Sequence, residues 1–114
     1  MYKDDRRIFE RFDVDFSAGI KQPEVGVRGG GFVRCCDISA SGLGLIAEEK
    51  LIPDTSLEIW IGIPDRHSPI RGLAKVVWSK QVQEDKWRAG LEFARIDFMG
   101  LRRIFETKRR FSQI

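Results

Sequence analysis

The residues best suited to ligand chemistry lie in two short segments of the first half of the chain. Residues 7–11 (RIFER) place the guanidinium groups of Arg7 and Arg11 four residues apart, and residues 37–42 (DISASG) combine Asp37, Ser39 and Gly42. Guanidinium groups grip phosphate oxygens bidentately, and an ionised carboxylate accepts hydrogen bonds from N–H donors. Both segments therefore suit the binding of a ligand rather than a reaction on it.

The residue patterns that enzymes use are missing. His67 is the only histidine and lies in the loop 64–69 (PDRHSP), and no Cys/His set has metal-ligand spacing. There is no GxSxG elbow and no GxxxxGK[ST] loop, and the glycine run at 28–31 (RGGG) lies between predicted strands rather than ahead of a helix. We expect no catalysis, no metal and no cofactor.

Length and composition indicate one globular domain. The 114 residues are 42% apolar and 32% charged, and no apolar run approaches the roughly 20 residues that a membrane span requires. The charged start (MYKDDRR) lacks the pattern of a secretory signal, so we expect a cytoplasmic protein. Cys35 and Cys36 are adjacent and would point to opposite faces of a strand, which favours two reduced thiols.

The elements that must position these residues are mainly strands. Short runs rich in Val, Ile, Phe and Trp, separated by Gly, Pro, Asp and Ser, predict strands at residues 12–20, 25–36, 42–47, 56–63, 70–82 and 87–95. Six strands in a small domain favour a closed or nearly closed antiparallel barrel, because closure removes exposed sheet edges. We therefore expect a barrel over residues 12–95, preceded by a flexible segment over residues 1–11.

Helical spacing replaces the strand pattern after Asp97, a suitable N-cap. Apolar residues at that spacing predict a helix over residues 98–111, within a C-terminal segment spanning 97–112. Lys108, Arg109 and Arg110 near its end either compensate the helix dipole or contact nucleic acid or a protein. With Arg6, they make both ends of the chain basic, although the net charge is only +3.

The two motif segments, in this order, resemble the RxxxR and D/NxSxxG motifs of the PilZ domain family. Residues 76–78 (VVW) and 89–93 (AGLEF) resemble later strands of the same family, so the resemblance covers nearly the whole chain. It implies a mostly β protein, a six-stranded antiparallel β-barrel of split-barrel type with one C-terminal helix. It also implies a receptor for cyclic di-GMP, with no cofactor and no enzymatic activity.

The resemblance assigns each motif residue a role that its chemistry supports. Arg7 and Arg11 would bind phosphate oxygens or the O6/N7 edge of guanine, unless they only form a solvated, ion-paired face. Asp37 would accept the N1–H and N2–H₂ protons of guanine, with the Ser39 hydroxyl adding a contact, although both side chains also suit the capping of a turn. Gly42 would give the loop a conformation or a closeness to the ligand that a Cβ would obstruct.

Two further residues are candidates for the same site. The Trp78 indole offers a face for stacking on a base, but large aromatics in strands are usually buried, which favours core packing instead. Arg6 would add a third guanidinium, enough to hold two stacked ligand molecules per protomer, unless it only pairs with Asp4 or Asp5.

The expected mechanism is ligand-induced ordering. The charged residues 1–11 would be mobile in the free domain and would close over the barrel on binding, creating a surface for an unidentified downstream protein. One alternative is a PilZ-like adaptor in motility or pilus assembly that binds proteins and no nucleotide, which the two complete motifs disfavour. A further alternative, suggested by the basic residues and the aromatics, is a small barrel that binds single-stranded nucleic acid, and length-dependent binding to single strands would distinguish it.

Overall fold

The structure is a computed structural model that describes residues 11–22, 31–65, 67–97, 99–104 and 106. Its strands are β1 (Phe12–Lys21), β2 (Gly31–Ile38), β3 (Gly42–Ala47), β4 (Ser56–Ile61), β5 (Ile70–Gln83) and β6 (Lys86–Ile96). They pair antiparallel in the order β1-β2-β3-β6-β5-β4 and close into a barrel. The prediction of a six-stranded antiparallel barrel is confirmed.

Alternating side chains give each strand an inner and an outer face. In β4, Leu57, Ile59 and Ile61 are buried, whereas Ser56 and Glu58 are exposed. The other strands contribute further aliphatic side chains to the same core, among them Ile38, Leu43, Leu45, Val76 and Leu91. Burying these side chains is the main source of stability for the barrel.

The described strands contain several register shifts, and two of them, one in β2 and one in β5, place residues of the site. The β2–β3 register shifts between Cys35 and Asp37, so that Cys35 lies opposite Leu45 and Asp37 lies opposite Gly44. Without the extra residue, Asp37 would share the inner face with the fully buried Cys35. The bulge places Asp37 on the outer wall instead.

The bulge in β5 has the same consequence for Trp78. Val76 is fully buried and lies opposite Leu91 of β6, whereas Trp78, two residues later, lies opposite Gly90. The register shift between these two positions turns the indole outward.

A short helix follows β6 and packs against the core of the barrel. Residues 99–104 and 106 are helical, and Leu101 and Ile104 are buried against the core. The Asp97 carboxylate accepts a hydrogen bond from the Met99 N–H at 3.0 Å, so the predicted N-cap is present. No helix among the described residues is long and apolar enough to cross a membrane.

Several predicted boundaries fall outside the described residues. Strand β2 is described from Gly31 onward, and the part of the predicted strand before it, residues 25–30, lies outside the described residues. The segment 107–114, which contains Lys108, Arg109 and Arg110 and the rest of the predicted helix, also lies outside the description, as do residues 1–10.

Candidate ligand-binding site

Asp37 is the centre of the candidate site, on the outer wall of β2. Its carboxylate accepts a hydrogen bond from Arg11 Nη1 at 2.6 Å through Oδ1, and Arg88 Nη2 lies 3.4 Å from Oδ2. The Asp37 side chain is only 12% exposed, whereas those of Arg11 and Arg88 are 53% and 50% exposed. Two half-exposed guanidinium groups therefore flank one carboxylate, with N–H donors left over for an anion.

Of the predicted site residues, Arg6 and Arg7 lie outside the described part of the chain. The structure brings Arg11 and Asp37 into direct contact, which the motif order alone did not establish. The expected interaction of Arg7 with a ligand stays a prediction.

Arg88 was not singled out from the sequence. It lies on β6 opposite Ile46 of β3, two residues before Gly90 along the strand. Nothing near Arg88 in the sequence resembles a motif, and its contact with Asp37 depends on β3 pairing with both β2 and β6. Only the strand order of the closed barrel reveals it.

Ser39 holds the turn between β2 and β3. Its hydroxyl accepts a hydrogen bond from the Ser41 N–H at 3.3 Å, and its own backbone N–H donates to the Gly42 carbonyl at 2.8 Å. Ser39 is fully buried and caps the turn, whereas its expected contact with a base stays a prediction.

Gly42 is required by the neighbouring strand. A Cβ on Gly42 would lie 2.0 Å from the Leu91 carbonyl oxygen of β6, which is backbone and cannot turn away. A close approach at Gly42 is therefore present towards β6, and its expected closeness to the ligand stays a prediction. Glycine here allows the DISASG turn to lie directly against β6.

Trp78 does not pack in the core. Its side chain is on the outer wall and the residue is 44% exposed, so the core-packing interpretation is wrong. The indole lies over Gly90, since a Cβ there would be 2.2 Å from Nε1. Stacking on a base stays a prediction, now with an accessible ring.

Asp37 and Trp78 belong to one row that crosses four strands. Asp37 of β2 lies opposite Gly44 of β3, Gly44 opposite Gly90 of β6, and Gly90 opposite Trp78 of β5. Neighbouring strands are about 4.8 Å apart, so the row spans roughly 14 Å along the wall. A carboxylate and an aromatic ring thus flank two residues without side chains.

The Cys36 thiol lies beside this row, whereas the Cys35 thiol is buried on the inner face of β2. Cys36 Sγ is 3.7 Å from Asp37 Oδ2 and 3.8 Å from Arg88 Nη2, and burial, followed by the charge of Asp37, raises the pKa of Cys36. Burial likewise raises the pKa of the Cys35 thiol to about 12. Both cysteines are free, as expected, and both favour the neutral thiol.

No group of three or more His, Cys, Asp or Glu side chains within the described ranges is arranged to hold a metal ion. The candidate site consists instead of guanidinium groups, one carboxylate and one aromatic ring. Such a set is suited to a planar, anionic ligand with N–H donors at one edge.

Comparison with known proteins agrees with this fold. The family profile described as the PilZ domain matches residues 5–106. Because the match covers most of the sequence, the chain belongs to the PilZ domain family. A search of curated proteins finds no significant match.

Two solved structures share the fold at low sequence identity. The Bacillus subtilis inhibitor of motility (MotI/DgrA) has a TM-score of 0.74 and 20% identity, covering 95% of this chain and 52% of that one. Escherichia coli YcgR, solved in complex with c-di-GMP, has a TM-score of 0.72 and 16% identity, covering 95% of this chain and 48% of that one. The chain thus spans about half the length of each.

Proposed function

We propose that this PilZ domain is a receptor for cyclic di-GMP that carries out no chemistry on its ligand. The observation that carries the proposal is the Asp37 carboxylate held between Arg11 and Arg88, on the same wall as an exposed Trp78. The c-di-GMP complex of YcgR, which shares the fold, supports the choice of ligand. The free thiols suit a reducing compartment, which supports a cytoplasmic location.

The chemistry of binding follows from the partners of Asp37. A carboxylate has about four acceptor sites, so Asp37 can accept the N1–H and N2–H₂ protons of guanine beside its two arginines. Adenine lacks this pair of donors, so the carboxylate selects guanine. Arg11 and Arg88 are half exposed, and either can turn from Asp37 to a phosphate because the guanine N–H donors then take its place on the carboxylate, which is only 12% exposed and is costly to leave unpaired.

Signalling would follow from ordering of the N-terminal segment. Arg7 and Arg11 on one side and the barrel wall on the other would both contact the ligand, which holds residues 1–11 against the barrel. The new surface would be bound by a downstream protein. Equally fast hydrogen exchange of this segment with and without saturating ligand would contradict the step.

Isothermal titration with cyclic di-GMP, and with cyclic di-AMP as the comparison, tests the function. We expect Arg11→Ala and Arg88→Ala each to weaken binding by at least about 10-fold, since a good bidentate contact is worth about 1–3 kcal/mol. Asp37→Ala should mainly reduce the preference for guanine, because two base donors lose their acceptor.

Arg34→Ala is the matched control. Arg34 lies on the outer wall of β2, pairs with Asp15 and is 57% exposed, but belongs to no part of the candidate site. An equal loss in Arg34→Ala would indicate a general charge effect. A folded wild-type protein that binds neither dinucleotide would overturn the receptor function and leave a protein-binding adaptor.

A further inference from the structure

The side chains at the two ends of the cross-strand row each cover a glycine: Asp37 covers Gly44, and Trp78 covers Gly90. A Cβ at Gly44 would be 2.5 Å from Asp37 Oδ2, and a Cβ at Gly90 would be 2.2 Å from Trp78 Nε1. These distances are shorter than real Cβ contacts allow, so any side chain at either position would displace the carboxylate or the indole. Glycine is therefore what permits the present orientation of both groups.

Gly44 and Gly90 are register partners, which fixes how far apart the two groups can be. Directly opposed Cβ positions in an antiparallel pair are about 4.5–5.5 Å apart. Since the carboxylate covers Gly44 and the indole covers Gly90, the two groups lie side by side on the wall. The outer face of the indole is open, and the residue is 44% exposed.

We propose that Gly44 and Gly90 are positioning residues of a purine-base subsite, an inference that rests on the proposed function. Gly90 lets the Trp78 indole lie flat, so that its outer face supports one purine ring. Gly44 lets the Asp37 carboxylate lie close to the backbone of β3, within reach of the edge of that ring. The subsite recognises a base by its face and its edge together.

The alternative is that Trp78 covers Gly90 only to stabilise the strand pair, as aromatic residues do beside glycines in sheets. The barrel contains such an arrangement elsewhere. Trp60 of β4 lies opposite Gly19 of β1, and a Cβ at Gly19 would be 2.2 Å from its Cε2. Neither residue belongs to the row that contains Asp37, so Gly19→Ala is a matched control with the same steric conflict.

The test compares Gly90→Ala, Gly44→Ala and Gly19→Ala by titration with cyclic di-GMP and cyclic di-AMP. The nearest atoms in all three are side-chain atoms that can turn away, so folded variants are expected. Gly90→Ala should weaken cyclic di-GMP binding at least about 5-fold, the lower end of a lost base–aromatic stack. Gly44→Ala should reduce the preference for cyclic di-GMP about 10-fold. Gly19→Ala should leave both quantities unchanged.

Two readouts separate positioning from stability. In a Trp78→Ala background, Gly90→Ala should cause no further loss of affinity, because its effect acts through the indole. In a Trp60→Phe, Trp87→Phe background, saturating cyclic di-GMP should change the fluorescence of Trp78, and this measurement decides the matter if Gly90→Ala does not fold.

The outcomes for the two proposals differ. If the wild-type protein binds and the Gly90→Ala and Gly44→Ala variants keep its affinity and selectivity, the subsite alone is overturned. An equal loss in Gly19→Ala, or Trp78 emission that does not respond to ligand, overturns it as well. Absence of binding by the wild-type protein overturns the proposed function and the subsite with it.

Discussion

At the scale of single residues, Asp37 illustrates how a charge is kept on a closely packed wall. Its side chain is only 12% exposed, and a charge so placed is costly unless it is paired. Arg11, just before β1, and Arg88 of β6 provide that pairing, one at each carboxylate oxygen. The arrangement that stabilises the free domain is thus the one that holds donors ready for an anion.

The motif residues could be predicted because they are contiguous in sequence. The acceptor role of Asp37 and the donor role of Arg11 can both be predicted from the sequence without any structure. Arg88 and the outward direction of Trp78 were not predictable, because they depend on cross-strand register and on bulges at Cys36 and Val77. A bulge reverses the face of every residue that follows it, and no local pattern in the sequence marks these two.

Burial of the Cys35 thiol makes the free energy of unfolding of the domain decrease at alkaline pH. The folded-state pKa is raised from 9.0 to about 12 by burial, so between these values an unfolded chain loses the thiol proton while the folded one keeps it. Stability is therefore complete below about pH 9 and falls as pH rises towards 12, by up to about 1.4 kcal/mol per pH unit.

We expect Cys35→Ala to remove this part of the pH dependence. Urea unfolding of wild type and variant at pH 8 and pH 10.5 measures it, because other titrating groups contribute equally to both proteins. The variant starts less stable, from the cavity it creates, but should lose less on going to pH 10.5. Parallel losses in the two proteins would show that the Cys35 thiol ionises as easily in the folded state as in the unfolded one.

At the scale of elements, the six strands follow from local sequence. β3 has the bounds that were predicted for it, and β4, β5 and β6 differ from prediction by at most a few residues at either end. These boundaries coincide with Gly, Pro and Asp, whose backbone preferences are local. The apolar stripe of the helix was visible in the sequence, but the ion pair that also holds the helix was not predictable, because it joins residues 38 positions apart.

That ion pair joins the helix to the loop before β5. Arg103 donates to both Asp65 carboxylate oxygens, at 2.8 and 2.9 Å, and to the Ser68 carbonyl at 2.8 Å. Hydrogen bonding from Arg103 lowers the pKa of Asp65 well below its ordinary range. The attachment is therefore present above the ordinary pKa of an aspartate, 3.8, and weakens only as pH falls below it.

We expect Asp65→Asn to loosen the helix, which Leu101 and Ile104 still hold against the core, while the barrel stays folded. Hydrogen exchange of residues 99–104 at neutral pH should become faster, whereas exchange in β3 should not change. Arg102→Ala is the control, because the partner of Arg102 among the described residues is the exposed Glu106 four residues later in the same helix, and such pairs contribute little. Equal acceleration in the two variants would mean that the Asp65 contact does not hold the helix.

At the scale of the whole molecule, charge limits the number of ligands that the proposed receptor would hold. The net charge is only +3, and the described residues contribute Arg11, just before β1, and Arg88 of β6 to the candidate site. Two stacked molecules of cyclic di-GMP concentrate four negative charges, so a receptor that holds the pair needs more cationic donors than one that holds a single molecule. Arg6 and Arg7 precede Arg11 in the sequence and are the remaining candidates for those donors.

We expect two cyclic di-GMP molecules per protomer, and a count that falls towards one in Arg6→Ala with measurable affinity retained through Arg7 and Arg11. Titration at protein concentrations well above the dissociation constant gives the endpoint directly. The structure sharpens the comparison, since Arg88→Ala removes a guanidinium that contacts Asp37 and should lower affinity as well as the count. An endpoint of one ligand in the wild type, or the same endpoint in wild type and Arg6→Ala, would remove Arg6 from the site and leave Arg11 and Arg88 beside Asp37 as a site for one molecule.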